Sequence, residues 1–304
     1  MEQFIQQCVN ALQWGSFYAL IALGYTLVYG VLRLINFAHG DIFMVGAYIS
    51  FFVSTFFLSS SGPALSRDLA LALTIPCTVV LTSGVGVTLE RIAYRPLRRK
   101  GVHRLYVVIT ALMCGLVLEN GNLALLGASR KALPDLLDKH IYMISGIAVT
   151  NLKLIVICTA LLVFFALHFI VTRSRIGMAM RAVAWDEFAL PLMGIPLDRV
   201  IVFTFMLGSG IAGLGGMLFA MSYPVLDPYM GAMTGWKAFI AAVVGGIGDI
   251  RGAFVGGFLL AFVEIMVAAF LPSTFRDLFA FSILLLILWK RPTGIFGMPM
   301  STKI

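Results

Sequence analysis

The chain has 304 residues, 60% of them hydrophobic and 12% charged, and its 22 Lys and Arg outnumber 14 Asp and Glu to leave a formal charge of +8. Soluble domains run at about 45–50% apolar and about 25% charged residues, so this composition excludes them and marks a polytopic membrane protein. The positive charge does not call for nucleic acid, because Lys and Arg collect in the short cytoplasmic loops of membrane proteins.

The first stretch, MEQFIQQCVNALQW, lacks a basic n-region and a small-residue cleavage site, so a retained first span is expected rather than a cleaved leader. Apolar runs then recur at 12–32, 40–58, 69–90, 105–126, 152–171, 200–220, 235–248, 253–271 and 277–289. A helix needs about 20 residues to cross a hydrocarbon core of roughly 30 Å. The runs are continuous and rich in Leu, Ala, Gly and Phe, not alternating in polarity, which predicts helices and not barrel strands. The fold class is therefore an all-α polytopic membrane protein with about nine spans, in a range of 8–10, forming one domain over residues 1–304. With the amino terminus outside, 15 of the 22 basic residues fall in inner loops, led by the cluster ERIAYRPLRRKGVHR (Glu90–Arg104), and the carboxyl terminus is cytoplasmic.

Between the first two spans lies INFAHGD, Ile35–Asp41. Asn36 suits a turn, and Asp41 near a helix start is favoured by the helix dipole, so a structural role accounts for most of the composition. With no second His nearby, His39 and Asp41 make a poor metal or catalytic centre. The segment reads as a cytoplasmic-side hinge whose Asn36, His39 and Asp41 gate the inner mouth. Its GDI recurs at Gly248–Ile250, a faint internal echo.

Two carboxylates stand inside the spans: Glu119, beside Asn120 and Asn122, and Glu264 in LLAFVEIMV. Charge at that depth faces a cavity or a packed interior, so a substrate or proton-relay site and a hydrogen-bonded structural carboxyl are both open. Tyr25 and Thr26 offer hydroxyls to a path or to packing. Cys8, Cys77, Cys114 and Cys158 are scattered without metal-ligand spacing, so neither a disulfide framework nor a zinc site is indicated. Gly208, Ala212 and Gly216, and Gly252 with Gly256, follow small-xxx-small spacing and predict close helix packing.

The polar segment Thr172–Arg199 is too long for a turn. From Ile176 to Leu190 it favours a short surface helix, ended or kinked by Pro191, that rests on lipid headgroups or docks into a partner. Near Trp236–Gly257, Gly245, Gly246 and Gly248 interrupt a short apolar piece. A re-entrant helix there would put Lys290 and Arg291 on the outer side, so a full span is preferred. The chain has no phosphate-loop, H-E-x-x-H or G-x-S-x-G motif, so any uphill transport needs energy from elsewhere.

Five blocks now combine. They are GSFYALIALGYTLVYG (Gly15–Gly30), INFAHGDIFMVGAY (Ile35–Tyr48), RIGMAMRAVAWDEFALPLMGI (Arg175–Ile195), DPYMGAMTGWKAFIAAVVGGIGDIRGAFVGG (Asp227–Gly257) and RPTGIFG (Arg291–Gly297). With them the chain resembles the permease subunit of the high-affinity branched-chain amino acid ABC importers, in the bacterial cytoplasmic (inner) membrane. The resemblance implies a non-catalytic permease without a cofactor or metal. It pairs with a second related permease and works with two cytoplasmic ATP-binding subunits and an extracytoplasmic substrate-binding protein. It also implies that Arg181, Ala182, Asp186, Ala189, Gly194 and Ile195 belong to the loop that receives ATPase movement, with Pro191 a departure from the family pattern. Cargo stays open between hydrophobic amino acids and urea, short amides or another amino acid. An ion-coupled secondary transporter using Glu119 or Glu264 is the rival class.

Overall fold

A computed structural model describes residues 2–59, 62–144, 146–186 and 189–297. Among the described residues the chain forms eleven α-helices: α1 (Glu2–Leu32), α2 (His39–Leu58), α3 (Arg67–Arg99), α4 (Arg104–Leu126), α5 (Asn151–Arg173), α6 (Arg175–Trp185), α7 (Ala189–Leu192), α8 (Leu197–Ser222), α9 (Met230–Gly245), α10 (Ile250–Phe270) and α11 (Arg276–Lys290). Seven of them, α1 to α5, α8 and α10, are long and apolar enough to cross a membrane. The remaining two expected spans are shorter helices, 16 residues in α9 and 15 in α11.

One departure from an all-α chain is a hairpin, β1 (Ile141–Ile144) with β2 (Ile147–Thr150), paired antiparallel from Ile141 opposite Thr150 to Ile144 opposite Ile147. It anchors the start of α1, because the Gln6 amide donates to Ala148 O at 3.1 Å and the Ala148 N–H donates back to Gln6 Oε1 at 2.8 Å. That anchorage explains why α1 begins ten residues before the apolar run at 12–32.

The core follows from small residues on facing helices. α1 is the most enclosed span, with Phe17, Ala19, Leu20, Ile21, Ala22 and Leu23 fully buried. At Gly216 of α8 a Cβ would lie 2.2 Å from Phe43 O of α2, and at Gly256 of α10 one would lie 2.1 Å from Ala241 O of α9. Both glycines belong to the predicted small-residue stripes, and the contact distances give the reason for them. By contrast α4 buries a thin stripe, Val107, Ala111 and Gly115, and leaves Leu112, Met113, Leu116 and Val117 exposed.

α3 is continuous but irregular, with a π-helical turn at Glu90–Tyr94 just before Pro96. Proline lacks the N–H for a helix bond and its ring crowds the carbonyl four residues back, and a widened turn absorbs both. The same turn points Glu90 and Tyr94 into the protein, where both are buried. Their partners sort the loops into two ends. At the basic end the Tyr94 hydroxyl donates to Asn36 Oδ1 at 2.6 Å and Arg98 pairs with Asp198 at 2.5 Å, while Val31 shares a buried cluster with Met180, Val183 and Val200. At the opposite end Arg67 pairs with Asp138 at 2.8 Å, Arg130 with Asp227 at 3.5 Å, and Lys131 bridges Leu226.

The surface helix predicted over 176–190 is two helices, not one. α6 starts on Ser174, whose side chain accepts the Gly177 N–H at 3.0 Å, and it ends at Trp185, where Asp186 is extended. Continuing the helix would set the Pro191 ring against the carbonyl four residues upstream; a fresh start at Ala189 places Pro191 in a first turn, where no N–H is needed. Arg291–Gly297 has a local role too. Ile295 N–H donates to Val244 O and Phe296 N–H to Gly245 O, both at 2.9 Å, so this segment satisfies the last carbonyls of α9.

Candidate translocation site

The segment between α1 and α2 does not lie flat on the surface. After Leu32 the chain turns at Arg33, with φ 53°, and folds back so that His39, the first residue of α2, packs edge-on against Tyr25 with ring centroids 4.9 Å apart. Leu32 is seven residues beyond Tyr25, or about 10 Å further along the helix axis at about 1.5 Å per residue. Helix α2 therefore starts inside the body of the protein. Asn36, His39 and Asp41 are 2%, 1% and 6% exposed.

α9 starts at the same place. A Cβ on Gly231 would lie 2.8 Å from Gly40 O and 2.9 Å from Asp41 Oδ1, and one on Gly235 would lie 2.7 Å from Gly40 Cα. Only glycines permit these contacts, and the result is that the amino ends of α2 and α9 converge. Each end carries a partial positive charge from unpaired N–H groups. Beside them opens a cavity of about 280 Å³ between α2, α4 and α9. Its apolar wall is Phe37, Leu112, Met113, Leu116 and Trp236, and its polar groups are Tyr25, Asp41 and Glu119 with the first turn of α9 at Gly231 and Ala232.

Asp41 is the buried charge of this site. One carboxylate oxygen, Oδ2, sits where a Cβ on Gly115 of α4 would be at 2.4 Å; the other, Oδ1, has no hydrogen-bond partner among the described residues. Neither nitrogen of His39 has one either, and a Cβ on Gly24 would collide with Nε2. A buried carboxylate without a cation is costly, and at membrane depth such groups face the bundle interior or a water-filled cavity.

The other predicted residues divide. Glu119 joins Asp41 on the cavity wall. Asn36 does not line it; its Oδ1 accepts the Tyr94 hydroxyl and holds the fold-back. Asn120 is exposed and donates to Leu116 O of its own helix at 2.8 Å. Glu264 lies elsewhere and is enclosed: Tyr18 donates to Oε2 at 2.8 Å, Arg276 reaches the same oxygen at 2.9 Å, and Lys237 stands 2.9 Å from Oε1. Lys237 also pairs with Asp277 at 2.7 Å, so the network ties α1, α9, α10 and α11 together.

In the connecting loop, Arg181 donates to Val171 O and closes the α5–α6 corner, and Ala182 is half-buried. Asp186 follows the last residue of α6 and is exposed, Gly194 turns with φ 75°, and Ile195 N–H returns to Leu190 O at 3.1 Å. The side chain of Ala189 falls outside the described residues. Leu190 is buried below α1, whereas Trp185, Leu192 and Met193 are 74%, 89% and 75% exposed.

Sequence reasoning did not single out Phe37, Leu112, Met113, Leu116, Gly231, Gly235 or Trp236. The Gly231–Gly235 spacing was the readable signal, being the same small-residue pattern as in α8 and α10. The apolar wall carried no signal, since Leu and Met on a span look alike whether they face lipid or a cavity.

The chain is similar over nearly its whole length to two high-affinity branched-chain amino acid transport system permease proteins. It is 39% identical to BraD of Pseudomonas aeruginosa over 305 residues, covering 99% of this chain and 98% of that one. It is 38% identical to LivH of Escherichia coli over 306 residues, with the same 99% and 98% coverage. A weaker likeness, 28% over 123 residues and 38% of this chain, links it to the autoinducer 2 import system permease protein LsrC of Klebsiella pneumoniae, covering 36% of that protein. The family model described as branched-chain amino acid transport system / permease component matches residues 7–288, and the chain belongs to that family.

Proposed function

We propose that the chain is the membrane-spanning half of an inward amino acid pathway, with nine crossings, the amino terminus outside and the carboxyl terminus cytoplasmic. Support for nine is that α9 and α11, although short, continue the alternation of helices between the basic end and the opposite end. α9 needs less length because it starts within the body beside Gly40.

The cargo is a branched-chain or similar hydrophobic amino acid, and the observation that carries this is the composition of the α2–α4–α9 cavity. The convergent amino ends of α2 and α9 suit the substrate carboxylate. Asp41 and Glu119 suit its ammonium group, and the Leu112, Met113, Leu116 and Trp236 wall suits an aliphatic side chain. A volume of about 280 Å³ is small, which favours an amino acid over a larger solute. Each charge of a zwitterion would meet a complement there, while urea offers neither charge.

Energy comes from two ATP-binding subunits, one of them docked on the α6 and α7 helices of this chain. The exposed Trp185, Leu192 and Met193 supply an apolar contact, and buried Leu190 transmits movement to Val31 of α1 and Val200 of α8. A second related permease completes the channel and an extracytoplasmic protein delivers substrate. The test is uptake of labelled leucine by membranes holding the full set of subunits. Glu119→Gln should weaken uptake, and charge reversal at Arg181 or Asp186 should leave ATP hydrolysis running without transport. Unchanged uptake in Glu119→Gln would remove the cavity from the path, and normal coupling in both loop variants would remove the loop from the drive.

A further inference from the structure

At the basic end a separate cavity of about 330 Å³ opens between the last turns of α3 and the first turns of α8. Arg91, Arg95, Asp198 and Arg199 form its rim, and Val202, Phe203 and Met206 form its wall. Residues 90–100 and 198–199 hold six cations, Arg91, Arg95, Arg98, Arg99, Lys100 and Arg199, against two carboxylates, Glu90 and Asp198. The carboxylates are already occupied. Buried Glu90 takes Arg95 at 2.9 Å and Arg98 at 3.4 Å, and Asp198 takes Arg98 at 2.5 Å and Arg99 at 2.7 Å. Arg91 and Arg199 have no carboxylate partner among the described residues, and both line the cavity.

The arrangement is amphipathic in one direction. Two unpaired guanidiniums stand at the end of the spans, and the apolar wall runs from them along α8 toward the membrane interior. Ile92 of α3, next to Arg91, is 74% exposed. A guanidinium presents paired N–H donors that match phosphate oxygens, and basic pockets between spans at the headgroup level hold anionic lipid. We propose that this groove binds an anionic phospholipid of the adjacent leaflet, its phosphate on Arg91 and Arg199 and an acyl chain along Val202, Phe203 and Met206. A free phosphate ion would use the rim and ignore the wall. A bound lipid would pin the π-turned end of α3 to α8, next to the loop that begins α8.

Native mass spectrometry of the detergent-purified full chain, titrated with phosphatidylglycerol or phosphatidylcholine, tests this. Two rim cations contributing roughly 5-fold each predict that Arg91→Gln/Arg199→Gln loses about 25-fold in phosphatidylglycerol retention and nothing in phosphatidylcholine. Val202→Trp keeps every charge and fills the wall, so it should also lower phosphatidylglycerol retention, and it carries the test if the double variant does not fold. Excess inorganic phosphate should not displace the lipid. Equal phosphatidylglycerol retention by folded variants overturns the proposal, as does full displacement by inorganic phosphate. Loss of ATP-binding-subunit association with lipid retention unchanged would overturn it as well, by making the groove a protein-docking surface.

Discussion

The triplet Gly-Asp-Ile stands at the starts of two helices of this protein, inside the first turn of α2 and across the cap of α10, and the two aspartates do different things. At Gly248-Asp249-Ile250 the Asp249 carboxylate accepts the Arg251 N–H at 2.7 Å and the Gly252 N–H at 2.9 Å and caps α10. At Gly40-Asp41-Ile42 the aspartate lies inside the first turn, the residue before the helix is Ala38 with no side-chain cap, and Oδ1 points at the α9 start without a hydrogen bond. A local motif sets what a carboxylate can reach along its own chain. Whether it is used as a cap or kept for a ligand depends on where the helix start is carried, and α2 starts about 10 Å inside the end of α1, at about 1.5 Å per residue.

Glu264 extends the contrast, because it is at least as buried as Asp41 yet has a cation 2.9 Å from each oxygen. Arg276 meets Oε2 with hydrogen bonds, and Lys237 meets Oε1 by charge without hydrogen-bond geometry. Glu264→Ala should give the largest effect, a destabilisation of about 3 kcal/mol, since half-buried Arg276 would lose its carboxylate and half-buried Lys237 would keep only Asp277. Thermal unfolding in detergent measures it, and a stable variant would show that the network is not structural. Asp41→Asn should cost uptake and not stability. Losing one partner of a desolvated charge pair costs about 2 kcal/mol or more, so leucine uptake should fall roughly 30-fold or further. A folded Asp41→Asn protein with wild-type uptake would make Asp41 as structural as Asp249.

Gly40→Ala sharpens the comparison from the packing side. Its Cβ would lie 2.5 Å from Gly231 O, so the α2 and α9 starts must separate at a cost of about 1–3 kcal/mol. Uptake should fall along with stability. The smallest effect belongs to Asp249→Ala, a lost cap worth about 1 kcal/mol with uptake at saturating substrate nearly unchanged. If Asp249→Ala abolished uptake while Asp41→Asn did not, the two roles would be reversed.

Much of the fold was legible because a bilayer enforces composition. Each of the nine apolar runs became a helix, with ends displaced by up to ten residues where a tertiary partner intervened, as Gln6 does on β2. The hairpin had a readable signal in the β-branched and aromatic residues flanking Ser145-Gly146, but a membrane-helix reading passes over so short a pair. The split of the 176–190 helix was announced by Pro191, which marks a break without fixing on which side the helix resumes.

The site was less legible. Asp41 and Glu119 stand 78 positions apart (119 − 41) and share a cavity because α2 and α4 pack side by side. Glu264, equally conspicuous in the sequence, is removed from that cavity by Arg276 and Lys237, which come from two other helices.

By itself the sequence determined that the chain lives in a membrane, where its helices run, and which family it resembles. Hydrophobic length, loop charge and small-residue spacing are local properties that the bilayer and helix geometry read directly. Only the tertiary structure decided which polar residues stay unpaired. Pairing is settled across helices: the fold-back after Arg33 buries Asp41 beside the amino ends of two helices and gives it no cation among the described residues, while the α9–α11 packing gives Glu264 two.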